Sequence, residues 1–148
     1  MKKYVSLLCV LLVLFACGCS AKSENAMHTP VETFFAGLNE ADYEKYKKSH
    51  LPEKVNAMDQ FRFEEQFLEY RKSMQGERVI FEILESGTLS DEEAREVKKY
   101  YCDKLGITYE QLGYVRIRSN LESMKHKGYC VKRDGKWYIL SWFTLSED

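Results

Sequence analysis

Four side chains, Tyr114, Arg116, Arg118 and Trp142, have the types and spacing that could bind an anion. Tyr114, Arg116 and Arg118 alternate along a predicted strand and therefore share one face of it, and Glu82 lies on an earlier predicted strand. Two arginines on one face could clamp a carboxylate, with Tyr114 or Trp142 stacking on the ligand. The alternative, which the pattern favours, is an outer sheet face on which the arginines only provide solubility.

The sequence contains no cluster typical of a metal or phosphate site. The histidines, His28, His50 and His126, are far apart along the chain. There is no Cys-x-x-Cys, no His-Glu-x-x-His and no glycine-rich phosphate loop. We therefore expect no metal ion and no cofactor.

Two cysteines, Cys102 and Cys130, lie in the predicted folded region. In an oxidising compartment they could form a disulfide. The alternative, which we favour, is that each is a small buried apolar residue.

The charge balance argues against nucleic acid as a partner. The chain has 22 basic and 23 acidic residues, and the basic residues are not concentrated on one predicted face. Aromatic residues make up 14% of the chain, which is enough for a packed core or an aromatic-lined pocket.

The N-terminus has the pattern of a secretory signal. Lys2 and Lys3 precede an apolar run from residue 5 to 16, which is shorter than the roughly 20 residues that span a bilayer. Leu14-Phe15-Ala16-Cys17 resembles the lipobox of bacterial lipoproteins, in which the cysteine is lipidated and becomes the first residue. Cys19 is the alternative anchor, and an ordinary secretory signal cut near Ala21 is a second alternative.

The resemblance to lipoproteins implies three segments and a location. Residues 1–16 would be the signal peptide, residues 17–28 a flexible tether, and residues 29–148 a single domain. The lipid would hold that domain on the extracytoplasmic face of the cell membrane.

Helix signals dominate the first half of the predicted domain. Thr29-Pro30-Val31-Glu32 is typical of a helix start, with Thr29 as the cap. Asp42 is predicted to begin a second short helix, and Asp59 a third that ends at Gly76.

Strand signals follow, with one helix between them. Strands are predicted at 78–86, 112–121, 128–133 and 136–143, and Asp134-Gly135 predicts a tight hairpin. Ser90 and Glu93 form a capping box for a helix that ends near Gly106. The sequence therefore predicts an α+β fold: N-terminal helices on a curved, mostly antiparallel, cone-like sheet, with one helix inserted after the first strand.

Two stretches resemble the ends of small secreted nuclear transport factor 2-like domains, which have a cystatin-like α+β cone. They are residues 30–38 with Ala41-Asp42-Tyr43, and residues 131–139, which contain Asp134-Gly135-Lys136-Trp137. The inserted helix departs from that pattern and resembles an insertion found in some lipoproteins of this kind.

The resemblance leaves two classes of function open. One is a non-catalytic binding or interaction domain, whose partner would be a small molecule, an envelope protein or a second copy of the chain. The other is an isomerase-like or hydratase-like enzyme with Tyr114, Arg116 and Arg118 in its pocket. A buried carboxylate or histidine facing an open cavity would favour the enzyme, and a cavity filled by aromatic side chains would favour the binding domain.

Overall fold

The computed structural model describes residues 18–58, 60–120 and 125–144. Four helices precede the first strand in these ranges. The helices before the sheet are α1 (Gly18–Glu40), α2 (Tyr43–Lys48), α3 (Pro52–Ala57) and α4 (Gln60–Ser73). The remaining elements are β1 (Phe81–Thr88), α5 (Asp91–Val97), a π-helical turn (Lys98–Cys102), α6 (Asp103–Leu105), β2 (Gln111–Ser119), β3 (Lys125–Arg133) and β4 (Lys136–Thr144).

The four strands form one open antiparallel sheet in the order β1-β2-β3-β4. Helices pack on this sheet, so the predicted α+β class is confirmed. Two register shifts interrupt the ladders, one in β1 between Ile83 and Glu85 and one where β3 meets β4 at Tyr129 and Cys130. At each shift one strand has an extra residue, which changes which of its side chains face the helices.

Interactions between residues that are close in sequence fix the starts of α2 and α5 and the turn between β3 and β4. Asp42 caps α2 by accepting a hydrogen bond from the backbone N–H of Lys45 at 2.9 Å. Ser90 and Glu93 form the predicted capping box of α5. Asp134 and Gly135 both have positive φ in the β3–β4 turn, which is the backbone that a two-residue hairpin requires.

The first helix spans Gly18–Glu40, so it starts before the predicted Thr29 cap and includes residues 18–28 of the predicted tether. Pro30 therefore lies inside α1, although proline removes one helical hydrogen bond. Met27 is buried, and its methyl group lies against the backbone of Gly113 in β2. Packing against the sheet outweighs the local capping signal at Thr29.

The inner face of the sheet packs against the helices and carries the larger core. Val79 is buried there, with Phe81 and Ile83 packed against the same core, as the alternating pattern predicts. Ile80, between Val79 and Phe81 in sequence, is 71% exposed. The buried aromatic members of this inner core are Phe34, Phe35, Tyr46, Phe63, Phe67 and Trp137.

A second, smaller core lies on the outer face of the sheet, beneath the inserted helical segment. Its buried members are Leu51, Val97, Cys102, Ile107, Leu112, Val131 and Leu140. Cys102 belongs to this outer core and Cys130 to the inner one, and both are free thiols. The disulfide alternative is therefore wrong for this structure, because the sheet separates the two side chains.

Candidate functional site

The predicted anion-binding residues lie on the outer face of the sheet, beside β1. Tyr114 and Arg116 point to the same face as Glu85 of the neighbouring strand, and Arg118 is paired in register with Glu82. The sheet therefore brings Tyr114, Arg116 and Arg118 onto one face, as the alternation predicts. It also places an acidic residue of β1 next to each arginine.

Glu85 is the centre of this group. The Tyr114 hydroxyl donates to Glu85 Oε1 at 2.6 Å, and Arg116 Nη1 donates to Glu85 Oε2 at 3.2 Å. The hydrogen bond from Tyr114 is the main reason that the pKa of the Glu85 carboxyl is lowered, and the same bond raises the pKa of Tyr114. Tyr114 is thus held as a protonated donor, which makes it a poor general base.

A second ion pair ties the inserted helix to this surface. Lys127 of β3 pairs with Glu93 of α5, and its ammonium lies 4.8 Å from the centroid of the Tyr114 ring. The hydrogen bond from Lys127 is the main cause of the lowered pKa of the Glu93 carboxyl. We call Glu85, Glu93, Tyr114, Arg116 and Lys127 the outer-face network, and they line a shallow cleft of about 390 Å³.

The arginines of this surface already hold carboxylates of the same chain. Arg116 binds Glu85, and Arg118 lies 4.0 Å from Glu82 with more than half of its side chain exposed. An external carboxylate would have to displace these partners. The arrangement therefore fits a solvated, charge-balanced sheet face better than an anion clamp.

Trp142 lies on the other face of the sheet, so the structure separates it from Tyr114. Its ring packs against Phe34 and Phe35 of α1, with centroid separations of 5.6 and 6.3 Å. Gly128 lies beneath it: a Cβ at Gly128 would come within 2.9 Å of the ring. The predicted stacking role of Trp142 beside the arginines is wrong because the ring belongs to the inner core.

Aromatic rings occupy the space between the first helices and the sheet. Phe34 contacts Tyr46 and Tyr70, and Phe35 stacks on Phe81 at 4.3 Å between centroids. Burial raises the pKa of Tyr46 far above its ordinary value, so its hydroxyl stays protonated.

A larger cleft lies where the β3–β4 hairpin meets α2 and α3, and sequence reasoning did not find it. Its volume is about 720 Å³. It is lined by Lys47, Lys48, His50, Pro52, Val55, Asn56, Met58, Lys136 and Tyr138, and we call it the basic cleft.

His50 forms the inner wall of the basic cleft and is only 4% exposed. Its backbone bridges to Ile139 of β4, and Ile139 N–H donates to the Ser49 carbonyl at 2.8 Å. The ring packs against Phe34 and Phe63, with Nδ1 3.3 Å from the Tyr46 carbonyl. Burial lowers the pKa of His50 to about 3, so the ring is neutral.

The basic cleft was missed because its residues are far apart in sequence. Lys47 and Lys48 end a short helix, while Lys136 follows the hairpin turn. The dibasic pair and the turn lysine were visible separately in the sequence. The two segments come together in the fold, where the backbone of His50 bridges to Ile139.

The two proposed lipid anchors are outside what can be described at the side-chain level. Cys17 lies outside the described residues, and Cys19 lies within α1. In residues 18–58, 60–120 and 125–144, no helix combines the length and apolar character that crossing a membrane requires. Within the same ranges, no group of three His, Cys, Asp or Glu side chains could hold a metal ion.

Comparison with known proteins adds no relative. No family model, no curated protein and no solved structure matches the chain.

Proposed function

We propose that this protein is a membrane-anchored, extracytoplasmic lipoprotein whose folded domain binds a partner without catalysing a reaction on it. The resemblance of Leu14-Phe15-Ala16-Cys17 to a lipobox supports the location, and the filled inner core supports the non-catalytic role.

The filled inner core is the observation that carries the non-catalytic role. An enzyme of this layout would need an open space between helices and sheet, with an acid or base facing it. Here that space holds the rings of Phe34, Phe35 and Trp142 in mutual contact. Binding to a partner is therefore left to surfaces outside the inner core.

The enzyme alternative has one observation in its favour, which is His50 on the wall of an open cleft. A useful general base has a pKa near the working pH, whereas the pKa of His50 is about 3. Its Nδ1 is also within hydrogen-bond distance of the Tyr46 carbonyl and Ser49 Oγ. Such a ring suits a structural wall better than a proton carrier.

Metabolic labelling of the full chain with a palmitate analogue tests the anchor. We expect the wild type and Cys19→Ala to carry the label and Cys17→Ala to lose it. If only Cys19→Ala loses the label, the anchor is Cys19 and the lipoprotein proposal still holds. If the wild type carries no label, the lipoprotein proposal is wrong.

Native mass spectrometry of the full chain, released from membranes in mild detergent, tests the binding role. We expect a reproducible additional mass from a small molecule, a second copy or another protein. The bound species should be recovered chemically unchanged after incubation with excess protein. Conversion of a bound small molecule to a product would overturn the non-catalytic role.

A further inference from the structure

The basic cleft combines an apolar lining with two lysines that have no acidic partner among the described residues. Lys48 and Lys136 are both exposed, and neither has a carboxylate within 4 Å among the described residues. Lys47 is different because its ammonium binds Glu44 at 2.7 Å. The cleft thus presents two uncompensated positive charges at its rim.

Acidic groups near the cleft are engaged elsewhere. Glu53 of α3 forms an ion pair with Arg133, and Asp134 of the hairpin turn lies 3.7 Å from the same guanidinium. Both carboxylates are thus paired with Arg133, and neither lies within 4 Å of Lys48 or Lys136. His50 adds no charge of either sign because its ring is neutral.

The remaining lining of the basic cleft is largely apolar. Val55 and Met58 are half-buried and pack against the inner core. Pro52 and Tyr138 also line the cleft, and Asn56 adds a polar amide. A volume of about 720 Å³ lies within the roughly 300–1,000 Å³ that is usual for small-molecule sites. The chemistry is thus an apolar lining with cations at the rim.

We propose that the basic cleft binds a small organic anion with an apolar tail, such as an alkyl phosphate or a short-chain carboxylate. The anionic group would lie between Lys48 and Lys136, and the tail would lie against Val55 and Met58. This inference rests on the proposed binding function and names its ligand class. Positive charge at the rim disfavours a cationic ligand of the same size.

Isothermal titration calorimetry on the full chain in phosphatidylcholine nanodiscs tests this proposal, with empty nanodiscs as the blank. The probes are monohexyl phosphate, inorganic phosphate and hexyltrimethylammonium. We expect monohexyl phosphate to bind at least tenfold more tightly than inorganic phosphate, because only the former has a tail. Hexyltrimethylammonium should give no binding heat.

Charge-reversal variants locate the site. Lys48→Glu combined with Lys136→Glu should weaken monohexyl phosphate binding at least tenfold, whereas Lys98→Glu, an exposed lysine outside the cleft, should leave it unchanged. If the double variant does not fold, raising the salt from 50 to 500 mM with the wild type should still weaken binding severalfold.

The outcomes separate this inference from the proposed function. Absence of monohexyl phosphate binding, or equal binding of hexyltrimethylammonium, would overturn the ligand class. Unchanged affinity in a folded double variant would overturn the location. The palmitate labelling and native mass spectrometry results do not depend on these probes, so the broader proposal could stand when this one fails.

Discussion

Positively charged side chains are paired with carboxylates in the outer-face network and, in the described part of the chain, are unpaired at the rim of the basic cleft. In the network, Arg116 and Lys127 each bind a carboxylate, on Glu85 and Glu93 respectively. At the rim of the cleft, Lys48 and Lys136 have no such partner among the described residues. Paired charges hold the elements that carry them together, whereas unpaired charges beside an apolar lining can bind a ligand.

The outer-face network and the wall of the basic cleft also differ in burial. The network residues are mostly exposed or half-buried, so each contact there contributes little to the free energy of unfolding. The wall of the cleft is formed by His50, which is buried among aromatic rings. Changes to the wall should therefore affect the fold more than changes to the network.

His50→Ala should give the largest effect. Removing the ring leaves a cavity beside Phe34 and Phe63, and we expect the free energy of unfolding to fall by about 2–4 kcal/mol. Urea denaturation of the full chain followed by circular dichroism would measure this loss. His126→Ala, at a half-buried position in β3, is the matched control and should cost less than about 1 kcal/mol. Equal losses in both variants would mean that His50 is not an essential part of the wall.

Lys54→Met should stabilise the protein. Burial lowers the pKa of Lys54 to about 8, and its ammonium donates to the Leu140 carbonyl. We expect the variant to raise the free energy of unfolding at pH 7 by about 1–3 kcal/mol, because a buried charge is removed and the volume is kept. Lys72→Met, at an exposed position, should change it by less than about 0.5 kcal/mol.

The lowered pKa of Lys54 also predicts the direction in which the free energy of unfolding changes with pH. The native pKa of Lys54 is about 8 and its ordinary value is 10.5, so the unfolded chain holds more protons between these values. The penalty for burying the charge is fully present below pH 8 and is relieved as the pH rises towards 10.5. Wild-type stability relative to Lys54→Met should therefore increase across this window, and a decrease would contradict the assignment.

Lys127→Gln compared with Lys136→Gln tests the contrast between paired and unpaired lysines directly. Lys127 is only 16% exposed and binds Glu93, so its neutralisation should cost about 0.5–1 kcal/mol. Lys136 has no carboxylate partner among the described residues, and its neutralisation should leave stability unchanged within about 0.5 kcal/mol. Chemical denaturation of both variants in the same buffer would show the difference, and the reverse order would break the comparison.

The smallest effect is a change of pKa inside the network. Glu85→Gln should lower the pKa of Tyr114 towards its ordinary value, because the carboxylate that stabilises the protonated phenol is lost. Tyr114→Phe should raise the pKa of Glu85, since the phenol is the main cause of its lowered value. Nuclear magnetic resonance titration of labelled Tyr and Glu side chains would show both shifts. Unchanged values would mean that the two groups do not interact in solution.

Local signals predicted much of the fold. Asp42, Ser90 and the Asp134-Gly135 turn each act through backbone geometry within four residues, so neighbouring sequence is sufficient to find them. The start of α1 depends on Met27 reaching β2, and that contact is far away in the sequence. A helix start that depends on such a distant contact can be found only from the tertiary structure.

The position of Trp142 illustrates why the site was harder to predict than the fold. Trp137 and Trp142 are an odd number of residues apart, so a regular strand would place them on opposite faces. The register shift between β3 and β4 brings both rings into contact with the inner core. The pairing of Arg116 with Glu85 likewise depends on the shift in β1, which alternation alone does not indicate.

The bridge between His50 and Ile139 has a consequence for association between molecules. The Leu51 N–H donates to the Ile139 carbonyl, and the Ile139 N–H donates to the Ser49 carbonyl. The free side of β4 is therefore partly covered at this point by the protein's own backbone. An exposed strand edge invites pairing with another chain, and such cover reduces that tendency. Among the described strands, β1 is the other outer strand, and its register shift makes it an irregular template. Pairing with a strand of another molecule is thus disfavoured at both edges of the sheet. The β4 edge is partly covered, and the β1 edge is irregular.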